Sequence, residues 1–153
     1  MKVWYITSMK LKNKFFVIFF LLIFTNTFAS ENFFDNAKNL YEKKEYEKSK
    51  FLFQRNLVFN PKDSKSYLYL AKIYEIEENE KETEKNLNST LLLEPDNEEA
   101  IYMLINIQLD RSNFDEVNIL MNKLSNVCKK FCNKTEEIKK SLKGLKLQKL
   151  PKI

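Results

Sequence analysis

LLLEPDNEEAIYML, residues 91 to 104, sets a proline between two apolar, helix-like runs. Proline has no amide N–H, and its ring collides with the turn before it, so Pro95 has to close one helix and the chain beyond it has to start another. Asp96, with Glu99 three residues later, reads as the N-cap and capping box of that next helix. LVFNPKDSKSYLYL, residues 57 to 70, repeats the arrangement around Pro61, 34 residues earlier. Two such prolines at a fixed interval point to an internal repeat.

Setting the prolines in register divides the chain into units 30–63, 64–97 and 98–131. The fourth position of each unit is Phe33, Tyr67 and Ile101, the eighth is Ala37, Ala71 and Ile105, and the eleventh is Leu40, Tyr74 and Gln108. Those spacings draw one apolar stripe along a helix. The second half of each unit does the same, through Ser49, Thr83 and Val117, then Phe53, Leu87 and Met121. EKKEY, EENEK and DRSNF supply the turns between halves. The pattern predicts helices at 31–43, 46–59, 64–77, 80–93, 98–110 and 114–127. Ile138, Leu142 and Leu145 follow the start signal NKTEE and predict a capping helix at 135–147, weakened near its end by Gly144.

The period, with Ala37, Ala71, Ser49, Tyr46, Phe114, Pro61 and Pro95 at their positions, resembles the tetratricopeptide repeat over residues 30 to 131. Asn36, Ile105 and Gln108 depart from its pattern, and the third unit lacks the closing proline. The resemblance implies an all-α fold: an α-solenoid of antiparallel helix pairs in a right-handed superhelix. It also implies a concave groove, lined by the first helix of each pair, that holds a peptide or a partner helix. Carried over position by position, the groove residues are Phe34, Lys38 and Tyr41, then Leu68, Lys72 and Glu75, then Tyr102, Asn106 and Leu109. Phe34, Leu68 and Tyr102 form an apolar row, and Lys38 and Lys72 beside it suit an acidic group on the partner.

Composition argues against catalysis. The 153 residues include no His and one Gly, which removes the commonest general base and metal ligand and leaves no glycine-rich phosphate loop. No nucleophile elbow or paired carboxylate in an apolar setting occurs either, so no enzyme activity, cofactor or metal is expected. Aromatic residues make up 14% of the chain, but Phe33, Phe53, Tyr67 and Tyr74 fall on core positions, so packing accounts for them better than base stacking.

The net charge of +5 is unevenly spread. Residues 1 to 29 hold four lysines and no acid, and residues 129 to 153 hold nine lysines against Glu136 and Glu137. The body between them carries 13 basic and 19 acidic residues. An acidic body between basic ends is not a nucleic-acid-binding surface. The basic tail reads as a solvated face, with anionic lipid or the acidic body of another copy as alternative contacts.

MKLKNKFFVIFFLLIFTNTFAS, from Met9, runs from lysines through the apolar stretch Phe15 to Phe24 into small and polar residues. That is the order of a secretory signal peptide at 1–29, cut after Ala29. The apolar run is about half the roughly 20 residues that span a bilayer, which makes an uncleaved inner-membrane anchor the lesser reading. Export to a periplasm or bacterial cell envelope is expected, and there the thiols of CKKFC, Cys128 and Cys132, either pair or stay free according to whether a turn separates them. The functional expectation is an exported, non-catalytic module that binds another envelope protein. The alternative is a membrane-tethered structural subunit whose basic tail, within the segment 132–153, touches lipid.

Overall fold

The computed structural model describes residues 32 to 148; the expected leader, its cleavage site and the segment past Gln148 lie outside the described residues. Among the described residues seven helices follow one another: α1 (Phe33–Glu42), α2 (Tyr46–Phe59), α3 (Ser64–Ile76), α4 (Glu80–Leu93), α5 (Glu98–Asp110), α6 (Phe114–Val127) and α7 (Cys132–Gln148). No strand occurs among the described residues. Contacts run between consecutive helices, and the short connections reverse the chain each time, which makes an α-solenoid of antiparallel pairs.

The 34-residue period is written into the backbone as well as the side chains. Lys44, Glu78 and Ser112, each 34 apart, carry φ of 62°, 56° and 58°. Each is the left-handed residue that ends the first helix of a pair. Behind it, the amides of Glu45, Asn79 and Asn113 donate to the carbonyls of Leu40, Tyr74 and Gln108 at 2.9, 2.9 and 2.8 Å. This is the Schellman closure, and it reverses the chain within three residues.

Three of the starts are capped by asparagines. Asn32, Asn79 and Asn97 accept from the amides of Asp35, Glu82 and Ala100 at 3.1, 3.2 and 3.0 Å. The N-cap of α5 is therefore Asn97, one residue after the expected Asp96, because the Pro95 turn needs one more residue before the helix can begin. Asp63 precedes α3 but caps nothing with its side chain. Its Oδ2 instead accepts from Asn56 Nδ2 at 2.7 Å and Ser66 Oγ at 2.6 Å, which satisfies the buried polar groups behind Pro61.

The core follows from the stacking. Ala37, Phe53, Leu70 and Ile73 form one buried cluster, and Leu68, Ala71, Leu87, Ala100 and Ile101 belong to a second that continues to Ile138 and Leu142. Helix α3 contributes to both. Leu70 and Ile73 face the first pair while Leu68 and Ala71 face the pairs that follow, so this helix is apolar on two sides. The cap differs from expectation at both ends: α7 starts at Cys132 rather than 135 and runs through Gly144 to Gln148. A glycine mid-helix costs only about 1 kcal/mol, too little to stop a helix that Ile138 and Leu142 already anchor.

Candidate functional site: a hollow along the first helices

The first helices of the three pairs share one face. A hollow of about 330 Å³ is lined by Tyr41 of α1, by Lys72, Glu75 and Ile76 of α3, by Glu99, Tyr102, Met103 and Asn106 of α5, and by Phe131. Glu75 and Asn106 also border a second hollow of about 230 Å³, completed by Glu78, Glu80, Thr83, Ile107 and Asp110. Glu75 and Asn106 thus stand on the border between the two hollows.

The first-pair end is aromatic. Phe53 and Tyr69 stack with ring centres 5.0 Å apart, and Phe34 meets both rings edge-on at 5.7 and 5.9 Å. Tyr41 approaches Tyr69 at 5.1 Å and Tyr46 at 5.5 Å, again edge to face. Such edge-on contacts hold the rings at fixed angles behind Tyr41, the one among them that lines the hollow. Burial raises the Tyr41 phenol above its ordinary 10.0, with Tyr46 and the Glu99 charge adding to it, so its hydroxyl stays protonated.

The charges in the hollow are partly committed. Lys72 Nζ lies 2.6 Å from Glu99 Oε1 and 5.0 Å from the centre of the Tyr69 ring. Lys38, expected in the groove, borders neither hollow; it is exposed and pairs loosely with Glu42 at 3.8 Å. Glu75 makes no ion pair with a described residue. Although its side chain reaches solvent, loss of water at the wall raises its carboxyl, which Lys72 opposes and Glu99 reinforces. No described basic residue lines the second hollow; Arg111 binds Glu80 at 2.5 Å and Glu84 at 2.8 Å beside it.

The turn after α6 closes the far end. Cys128 and Cys132 are joined by a disulfide across a Cα separation of 5.2 Å, with the chain leaving the helix between them. Glu98, in the first turn of α5, reaches this loop. Its Oε2 accepts from the amides of Lys129, Lys130 and Phe131 at 2.7, 2.8 and 2.9 Å. Those amides, chiefly that of Phe131, hold the Glu98 carboxyl below its ordinary value. The clamp sets the Phe131 ring 5.4 Å from Tyr102.

The expected groove residues therefore divide. Tyr41, Lys72, Glu75, Tyr102 and Asn106 line the depression. Phe34 packs into the aromatic wall, and Leu109 packs against the second core cluster. Leu68 is 8% exposed and belongs to the core, which corrects its reading as an apolar anchor: α3 is covered on both sides, so the anchor position in the middle unit is used for stacking. Lys72 is engaged by Glu99 rather than free for a partner's acid. Tyr69, Ile76, Asp110 and Phe131 also shape the site without having been expected there. Tyr69 carried a signal in the aromatic clustering of YLYL; Phe131 carried none, since it reaches the site through a contact with Glu98 formed 33 residues apart.

No protein-family model and no curated protein matches the chain. Solved structures do. The type III secretion chaperone SycD of Yersinia enterocolitica, in complex with a peptide of the translocator YopD, superposes with a TM-score of 0.67 at 16% identity, covering 80% of this chain and 95% of SycD. The Sgt2 TPR domain of Aspergillus fumigatus gives 0.66 at 15% identity over 83% and 87%. The CopN–Scc3 complex gives 0.61 at 18% identity over 74% and 69%. The tetratricopeptide-type solenoid is thus the fold of this chain. No helix among the described residues is long and apolar enough to cross a membrane, and no described group of three or more His, Cys, Asp or Glu could hold a metal ion.

Proposed function

We infer that the chain is a protein-interaction module that holds a segment of another protein in the depression along α1, α3 and α5. The observation that carries this is the depression itself: the first helices of all three pairs line one open surface, with Tyr41 and Tyr102 at its wall and unspent charge on its floor. Pre-ordered aromatics beside polar groups suit a peptide or helix better than a small substrate, because they offer contact area without a closed reaction chamber. SycD, which shares the fold, was solved with a peptide of its translocator, and this supports the reading. The reading includes export: the signal-like segment carries the chain to the periplasm or cell envelope, where the Cys128–Cys132 disulfide is chemically at home. The partner is then an envelope protein, and the role is that of an adaptor or assembly accessory.

A photo-crosslinking amino acid at Asn106, compared with the same group at exposed Ile119, tests the surface in envelope fractions. Adducts confined to position 106 are expected; equal adducts at both positions would refute the groove as the binding surface. Mass measurement of the purified protein's N-terminus tests export, with a chain starting at Ser30 expected. Retention of residues 1 to 29 would instead favour a membrane-tethered structural subunit.

A further inference from the structure

We propose that the segment held in this depression is cationic: a stretch of another protein in which lysines or arginines flank an apolar or aromatic anchor. The inference rests on the groove reading and names the chemistry of its occupant. Among the described residues the two hollows are lined by Glu75, Glu78, Glu80, Glu99 and Asp110 against the ammonium of Lys72. That ammonium is already taken by Glu99 at 2.6 Å, and Glu80 is taken by Arg111 at 2.5 Å. Glu75, Glu78 and Asp110 are left bordering the hollows without an ion pair to any described residue. Carboxylates gathered on a concave wall repel one another and attract a cation more strongly than the same charges on a convex surface, since the low-dielectric wall focuses their field.

The chain supplies an internal example of the occupant. In the loop Lys129-Lys130-Phe131 an aromatic preceded by two exposed lysines lines the depression. Its amides are bound by the Glu98 carboxylate, and its ring rests 5.4 Å from Tyr102. The far end of the wall is thereby filled by an aromatic from a basic segment. The open remainder, with Tyr41, Ile76 and Glu75 in one hollow and Asp110 in the next, sets an apolar patch beside carboxylates that have no ion pair to a described residue.

The test uses the purified full chain and three fluorescent peptides of equal length that share one Leu-Phe anchor, flanked by lysine, glutamine or glutamate. Anisotropy should show the lysine peptide binding about tenfold tighter than the glutamine peptide and the glutamate peptide weakest, with the gap shrinking at roughly 0.15 M salt as screening sets in. Glu75→Gln with Asp110→Asn should bring the lysine and glutamine peptides together. Glu47→Gln with Asp115→Asn removes the same charge from outside both hollows and should leave the gap in place. Equal binding of the lysine and glutamine peptides overturns the inference while the groove reading stands. A lysine preference that survives in the groove variant also overturns it, as attraction to the acidic body at large. If none of the three binds, both the inference and the groove reading fall. If sedimentation shows a dimer that the lysine peptide dissolves, the occupant is the basic end of a second copy rather than another protein, and the proposed partner is wrong.

Discussion

Three residues at φ near 60° close the first helix of each pair, and none is glycine. The left-handed region brings Cβ against the carbonyl, at a cost of roughly 1–2 kcal/mol for residues that have one. Glycine removes that clash but adds freedom to the unfolded chain, so the two effects partly cancel. Glu78→Gly should therefore stabilise the protein by about 0.5–1 kcal/mol, read as a higher urea midpoint at unchanged slope, whereas the same replacement at mid-helix Lys85 should lower the midpoint. Glu98 makes the second prediction at this scale. Three amides, chiefly that of Phe131, hold its carboxyl below the ordinary 4.5, so its folded pKa is lower than its unfolded one. Its contribution is complete above pH 4.5 and is lost as pH falls through the depressed value. Glu98→Gln cannot titrate there. The parent's stability advantage over this variant should shrink as pH is lowered below 4.5, in parallel denaturant titrations; an advantage independent of pH would mean the amides do not favour the carboxylate.

Helices here are held by what lies on either side of them. Leu87 is fully buried and belongs to the core shared by α4 and its neighbours. Leu87→Ala should cost on the order of 2–5 kcal/mol, because a cavity between packed helices closes only partly. Phe51, also apolar and also on a second helix, is 59% exposed, and Phe51→Ser should change stability by no more than about 0.5 kcal/mol. Chemical denaturation of the two variants side by side checks both. The pair also shows how far the pattern could be read: Leu87 was legible as core from its 34-residue echoes Phe53 and Met121. The two-sided burial of α3 was not. Leu68 sits at a position that faces the groove by register, yet stacking closes over it.

At the scale of the molecule, a solenoid has no single centre, and its last pair depends on the cap. Ile138 and Leu142 of α7 lie in the same cluster as Val117, Leu120, Met121 and Leu124. Leu142→Asp should therefore loosen α5, α6 and α7 before α1 and α2, since each pair is supported by its neighbours alone. Amide exchange resolved along the chain is the measurement. Faster exchange in the third pair with the first pair protected is expected; uniform acceleration would mean that the array unfolds as one unit.

The residues by themselves determined the helices, their order and their pairing. A 34-residue period, prolines at Pro61 and Pro95, and apolar stripes at helical spacing act through contacts a few residues apart or through one repeated neighbour, and such rules survive translation along the chain. The same register put Tyr41, Lys72, Glu75, Tyr102 and Asn106 on one surface, and all five line the hollow there. Which of these side chains stay free depends on how the units stack. Leu68 is consumed by stacking, Lys72 by Glu99 in the next unit, and the wall beside Tyr102 by Phe131, whose loop is held by Glu98. Those pairings join residues 27 or more apart through single contacts that no periodicity repeats. The physical reason is that charge balance and burial in a groove depend on which neighbours happen to face one another across stacked units, a property of the assembled surface rather than of any one helix.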